Sequence, residues 1–420
     1  MGNRVSHSAS EDRSEVGPEA PPNAIVSANP MAPTNPIAPA ASIAPVGLSD
    51  PAALEELPSR IMLVTDAWEP QVNGVVRTLQ RTVQELRAMG CEVEIVSPEG
   101  YKTVPLITYP EIQLALWAKD DVEERFNRFA PDAVHIATEG PLGWAARAIC
   151  LAAKFPFTTS YHTQYPEYVN ARFRWIPLWA VYSFMRAFHD KSGRIMVATP
   201  TMMELLQSRG FRNVTAWSRG VDTEQFHPSK RDVDNGVYAG LPRPISVYVG
   251  RIAVEKNIEA FLACDLPGTK IVVGEGPQRE ELARRFPEAI FPGAKFGDEL
   301  ARYYADADVF VFPSFTDTFG LVILEAMAAG TPVAAFVAPG PKDLIPGSGA
   351  GVIGEDLQRA CLEALKIDRS SARVYAEKFS WRACAEEFRR NLQPLPKPEK
   401  KRFWRRLRAL RRRKKPIQGM

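Results

Sequence analysis

The stretch Phe312–Gly330, FPSFTDTFGLVILEAMAAG, joins three textures. Its start completes DVFVFPS, an apolar run closing in polar residues, which is how a buried parallel strand reads. FTDT follows as a turn. From Phe319 the chain is apolar on every side of a helical projection, which predicts a helix buried all round. Yet that helix carries Glu325, and Asp317 stands eight residues earlier in the turn. A buried carboxylate without donors is either neutralised or strongly destabilising, so Glu325 must meet donors. The two hydroxyls of a nucleotide ribose are one source, and an arginine elsewhere in the chain is another. Asp317 falls at the C-terminal end of the strand, and Phe319, Gly320 and Leu321 offer backbone N–H groups at the positive end of the helix. Gly320, lacking a side chain, lets an anion come close. The plainer alternative is that Asp317 or Thr318 caps the helix.

Outward from this stretch the same alternation repeats. IMLVTD, EVEIVS, DAVHIA, FPFTTS and RIMVATP read as strands, separated by amphipathic segments such as NGVVRTLQRTVQELRAMG, which Gly90 ends. A polar break lies near 225–242. The pattern then restarts with PISVYVGRI, KIVVGEG, DVFVFPS and PVAAFVA. Strand alternating with helix predicts an α/β protein with two doubly wound, Rossmann-like domains, whose strand C-terminal ends face a common cleft. The expected organisation is a disordered Ala/Pro-rich segment at 1–58, an N-terminal domain at 59–225, a second domain at 226–380, a final helix at 381–394 and a basic tail at 395–420.

The 420 residues are more than one ordinary core needs. Five cysteines, with no CxxC pair, suit a reducing compartment and argue against a disulfide framework or zinc site. No apolar run is long enough to span a membrane, and the N-terminus lacks the pattern of a secretory signal. The formal charge of +3 hides an asymmetry: 397–415 carries twelve Lys or Arg against one Glu, so the rest of the chain is acidic.

A second signal is GRIAVEKN, Gly250–Asn257, which also follows a strand. Arg251 and Lys256 are cations placed where a diphosphate would lie; the alternative is two solvated surface charges. The pattern G-R-x-x-x-E-K-N, together with Asp317-x7-Glu325, resembles the retaining glycosyltransferases of family 4, which have the GT-B fold. The similarity runs from about Ile61 to Leu392. The family's first carboxylate is Glu, and here it is Asp, one methylene shorter. The resemblance implies that Arg251 and Lys256 hold the donor diphosphate, that Glu325 binds the ribose, and that Asp317 and the amides of Phe319, Gly320 and Leu321 contact the transferred sugar and its phosphate. It implies that EPQVNGVV is the donor loop, with Gly74 allowing close approach, that His162 in TSYHTQYPEY sits at the reacting sugar, and that Arg219 lies near the cleft. It implies front-face attack without a protein nucleophile, no metal and no cofactor, the nucleotide sugar being a substrate. The D-x-D at Asp306-Ala307-Asp308 reads as an element junction. PSFTDTFGLVILEAMAAGTPVAAF, PQVNGVVRTL, HIATEGPLG and SYHTQYPEY together resemble the branch that glycosylates bacterial membrane lipids, nearest to processive hexosyl- and glucuronosyltransferases acting on diacylglycerol or ceramide. A UDP-sugar such as UDP-glucose is the favoured donor.

Two stretches bear on a membrane. KKRFWRRLRALRRRKK places Phe403, Leu407 and Leu410 at helical spacing with Trp404 beside them and basic residues opposite, an interfacial helix in prospect. ARFRWIPLWAVYSFMRAFHDKSGR alternates aromatics with Arg; Trp175 and Trp179 are candidate interfacial anchors, or members of an ordinary core helix. The expected partners are a nucleotide-sugar donor, a lipid acceptor and an anionic membrane surface, with the protein peripheral on the inner face of the cytoplasmic membrane. The same chemistry on a soluble or polysaccharide acceptor is one rival; a nucleic-acid-tethered binding protein is another, which the apolar stripe of the tail disfavours.

Overall fold

The computed structural model describes residues 43–45, 57–71, 73–106, 109–173 and 175–414. Two six-stranded sheets, all parallel, organise it. From edge to edge the first runs Glu92–Val96, Arg60–Val64, Ala133–Ile136, Phe157–Ser160, Ile195–Val197, Val214–Ala216. The second runs Ile290–Gly293, Thr269–Val273, Ile245–Val249, Val309–Phe312, Val333–Phe336, Gly351–Gly354. Their central strands are buried apart from Arg60 at the start of the first, which is why they read as largely apolar runs. In each sheet the order reverses beside the first strand, and ligands lodge in α/β sheets at that reversal. In the second lobe it brings the segment after Val249 beside the segment after Phe312, so the two motifs of the sequence become neighbours. An antiparallel pair, Thr103–Leu106 with Tyr109–Ala115, was not anticipated.

The last helices of the chain and the described part of its N-terminal segment pack on the lobes. The helix Trp381–Asn391 does not stand apart. It returns to the first lobe, where Trp381, Cys384 and Phe388 pack with Ile61, Leu79, Val83 and Trp217. The tail forms a helix, Lys397–Lys414, and its apolar stripe is also covered. Trp404 is 6 % exposed, with its ring 5.1 Å from Phe126, and Phe403 lies 5.4 Å from Phe155. Leu407 packs on the same core, and Lys400 pairs with Asp132. The expectation that Phe403, Trp404 and Leu407 enter a membrane is therefore corrected: the first lobe buries Trp404 and partly covers Phe403 and Leu407. The Leu410 side chain lies outside the described residues. Of the expected disordered segment, 1–42 and 46–56 lie outside them too. Ile43 and Ala44 pack against the second-lobe core, and Leu57 and Pro58 accept hydrogen bonds from Arg389, so disorder does not reach these positions.

Between the lobes, 217–242 is fastened by the D-x-D motif. Asp306 accepts from the backbone N–H groups of Asp232 and Val237 at 2.6 and 2.9 Å. Asp308 accepts from Arg231, Arg243 and the N–H of Ile245. These carboxylates hold an element junction, as expected. The lobes themselves touch: Thr201 donates to Asp343 at 2.9 Å, and Leu321 packs against the first-lobe core.

Candidate functional site

Gly320 decides how the quoted stretch turns. The helix begins at Leu321, not Phe319, because Gly320 adopts φ +88°. A Cβ there would also sit 2.9 Å from Ile323, so this residue is glycine for the chain's own conformation as well as for any approaching ligand. Phe319 is buried beside it. The turn is held from the far side by Gly340, whose N–H donates to the Asp317 carbonyl at 3.3 Å.

Asp317 meets the second motif directly. Lys256 Nζ lies 2.6 Å from Asp317 Oδ1. Lys256 ends a short 3₁₀ turn, Val254–Lys256, and Asn257 then takes φ +52° before the next helix. The segments are stitched by Asn257 Nδ2 donating to the Pro313 carbonyl at 3.2 Å and by Ser314 and Thr316 hydroxyls donating to the Glu255 carbonyl, both at 3.3 Å. The structure thus joins Lys256 to Asp317. Arg251 sits exposed just after the strand Ile245–Val249.

From the first lobe come His162 and Arg219. Arg219 is buried, and burial pushes its pKa down to about 10. Its guanidinium stacks 4.3 Å over the Trp217 ring and donates to the Ser218 carbonyl at 2.9 Å. It also lies 3.3 Å from His162 Nδ1. Burial, then the Arg219 charge, hold His162 well below its ordinary pKa, so the ring is neutral. Since an arginine can only donate, Nδ1 accepts and the proton resides on Nε2. That Nε2–H is buried and has no partner; Asp317 Oδ2 is likewise buried and without one. The two loops are in contact, because Thr318 Oγ donates to the His162 carbonyl at 2.8 Å. An unpartnered donor from one lobe and an unpartnered acceptor from the other therefore lie at the same interlobe seam.

Glu325 is 4 % exposed, as its surroundings in the sequence require. Its donors are Tyr304 Oη, at 3.0 Å, and Arg77 from the first lobe. Arg77 stands in the helix Gly74–Ala88, whose cap Asn73 accepts from the N–H groups of Val75 and Val76. Gly74 faces the second lobe, where a Cβ would lie 3.7 Å from Leu321. In this state the protein itself satisfies Glu325, the arginine alternative left open above. Arg77 was missed, although three residues after Gly74 it lies on the same side of the helix Gly74–Ala88. Tyr304 carried no signal in the sequence. A hollow of about 300 Å³, lined by Trp68, Gln80, Val83, Gln84, Arg87 and Ile95, includes none of these groups.

Trp175 and Trp179 are 80 % and 71 % exposed, at the turn before the helix Leu178–His189 and in its first turn, and Phe184 is exposed on the same helix. The core-helix alternative fails for these tryptophans. Among the described residues no helix is long and apolar enough to cross a membrane.

Comparison with known proteins bears on the family and the fold. Residues 72–225 match the model of glycosyltransferase family 4, and residues 243–366 match that of glycosyl transferases group 1. The chain is 33 % identical to the sulfoquinovosyl transferase SQD2 of Arabidopsis thaliana over 81 % of this chain and 74 % of that one. It is 29 % identical to the α-monoglucosyldiacylglycerol synthase of Streptococcus pneumoniae over 73 % of this chain and 78 % of the other. Among solved structures, Anabaena HepE in complex with UDP and glucose superposes with TM-score 0.59 at 15 % identity, covering 79 % of this chain and 98 % of that one. The architecture is GT-B.

Proposed function

The chain belongs to glycosyltransferase family 4, and from that premise we propose that it moves a hexose or hexuronic acid from a nucleotide sugar, UDP being the favoured carrier, to a hydroxyl of a membrane lipid such as diacylglycerol or ceramide, with retention. One observation supports this most: His162 Nε2–H and Asp317 Oδ2, buried and unpartnered, belong to loops of opposite lobes that touch. A hexose lodged there supplies both missing partners, since each hydroxyl donates and accepts.

The chemistry follows from the residues around it. When the glycosidic bond to phosphate breaks, negative charge develops on the nucleoside diphosphate. Lys256 and Arg251, in the segment that follows the strand Ile245–Val249, stabilise that charge, aided by the backbone N–H groups at the start of the helix Leu321–Ala328. Asp317 sets the position of the Lys256 ammonium at 2.6 Å and keeps one oxygen for the sugar. It is a sugar-positioning group; attack by the acceptor hydroxyl from the leaving-group face, its proton passing to the donor phosphate, needs no protein nucleophile. The tasks of Asp306 and Asp308 in fastening 217–242 favour a metal-independent reaction.

The lipid acceptor draws support from the diacylglycerol named in one relative and from the exposed Trp175 and Trp179, which suit an interfacial position on the cytoplasmic leaflet. The test is incubation of the purified protein and a bacterial lipid extract with a panel of UDP- and GDP-sugars, followed by mass spectrometry. A glycolipid product from one nucleotide sugar, absent with Lys256→Ala, is expected. Transfer to soluble sugars with no lipid product would move the acceptor to the rival class.

A further inference from the structure

We propose that Arg77 is a positioning residue of the donor site: in the donor-free protein it occupies the Glu325 carboxylate, and a donor nucleotide must displace it. This rests on the reading of Glu325 as the ribose-binding acid.

Glu325 is buried in an apolar helix, and its two oxygens take one donor each, Tyr304 Oη on Oε2 and the Arg77 guanidinium on Oε1. Tyr304 belongs to the same lobe and is wholly buried, so it is a permanent partner. Arg77 comes from the opposite lobe, on the first turn of the helix that follows the donor loop. The guanidinium touches Oε1 directly, which leaves no layer for a ribose between them. Gly74 and Leu321 face each other beside this contact, so the lobes are closed upon the acid itself. Unlike Glu325, the Arg77 side chain is 39 % exposed and has solvent to swing into. Glu325 cannot leave, because its helix is buried on all sides.

The two states are then complementary. Without donor, a buried carboxylate needs a second partner, and Arg77 supplies a charged one, its own pKa raised chiefly by the Glu325 charge. With donor, the ribose hydroxyls replace the guanidinium and the arginine moves to solvent. Binding therefore carries the cost of breaking an interlobe ion pair, and apparent affinity is reduced by the fraction of protein that is latched. Removing Arg77 removes that cost while leaving Glu325 with an unmet need that a ribose satisfies.

Calorimetric titration of the full chain with UDP and with GDP tests this. If about nine-tenths of the free protein is latched, Arg77→Ala binds its nucleotide about tenfold more tightly than wild type, and Arg77→Lys, with its single ammonium, falls between. Glu325→Gln binds more weakly, and adding Arg77→Ala to it changes affinity no further, because the coupling has lost its other end. A merely structural Arg77 would lower the unfolding temperature without tightening binding. Affinity in Arg77→Ala equal to or weaker than wild type overturns the proposal, as do effects of the two substitutions that simply add. Failure of the wild type to bind either nucleotide overturns instead the reading of the donor site on which it rests.

Discussion

Two stretches of this chain, 171–194 and 397–414, mix aromatic residues with arginine, and they end in opposite surroundings. In the tail helix the aromatic side is docked. Trp404 and Phe403 fill a groove formed with Phe126 and Phe155, while Lys401, Arg402, Arg405 and Arg406 face solvent. Around the helix Leu178–His189 the reverse holds for its first turn: Val181, Tyr182, Met185 and Phe188 bury inward, and Trp175 and Trp179 project outward. The more regular amphipathic pattern thus belongs to the helix that packs on protein. The difference teaches that an apolar stripe states a need for cover without stating who provides it. A neighbouring groove of the same chain is a standing provider, whereas the tryptophans beside an already satisfied helix face stay exposed among the described residues.

The contrast can be broken most forcefully at Trp404. Trp404→Ala should lower stability by about 3–5 kcal/mol, as for other buried aromatic truncations, read as a fall in the denaturation midpoint. Trp404→Phe should be far milder, because the indole N–H it removes has no partner. A near-neutral Trp404→Ala would return the stripe to a membrane role. Next in size is Trp179→Ser. If half of a ring of about 200 Å² enters the apolar phase, the substitution costs about 2.5 kcal/mol of vesicle affinity while leaving the denaturation midpoint unchanged. Undiminished partitioning into vesicles would remove the anchor. The smallest effect is expected at Arg405, on the solvent face of the tail. Arg405→Gln should weaken binding to anionic vesicles by about 1 kcal/mol, with no change on neutral ones and less difference at high salt. Equal loss on neutral vesicles would show that charge is not the cause.

The two lobes differ in how far their site was legible. In the second, Gly250–Asn257 and Asp317–Glu325 each lie within a few residues of a strand end, and a parallel sheet that reverses its order beside the first strand brings such ends together. Even there the partnership of Lys256 with Asp317 was not written in either motif, since it depends on two loops sewn together by Asn257, Ser314 and Thr316. In the first lobe, His162 and Arg219 were legible as single residues. Their mutual contact, which assigns the proton on His162, spans 57 residues and arises from strand order. The weakly apolar edge strand Gly351–Gly354 and the pair Thr103–Leu106 with Tyr109–Ala115 offered little hydrophobic contrast, so neither stood out.

By itself the amino-acid order determined the repeating strand and helix, the division into two sheets and the certainty that Glu325 would need donors. Those are consequences of local sterics and of the cost of burying charge, which act within a few residues. Tertiary structure decided which donors Glu325 takes, which aromatic face stays in water, and where the last two helices rest. Such choices compare free energies of surfaces distant along the chain, and they settle only when the lobes and the returning helices compete for the same contacts.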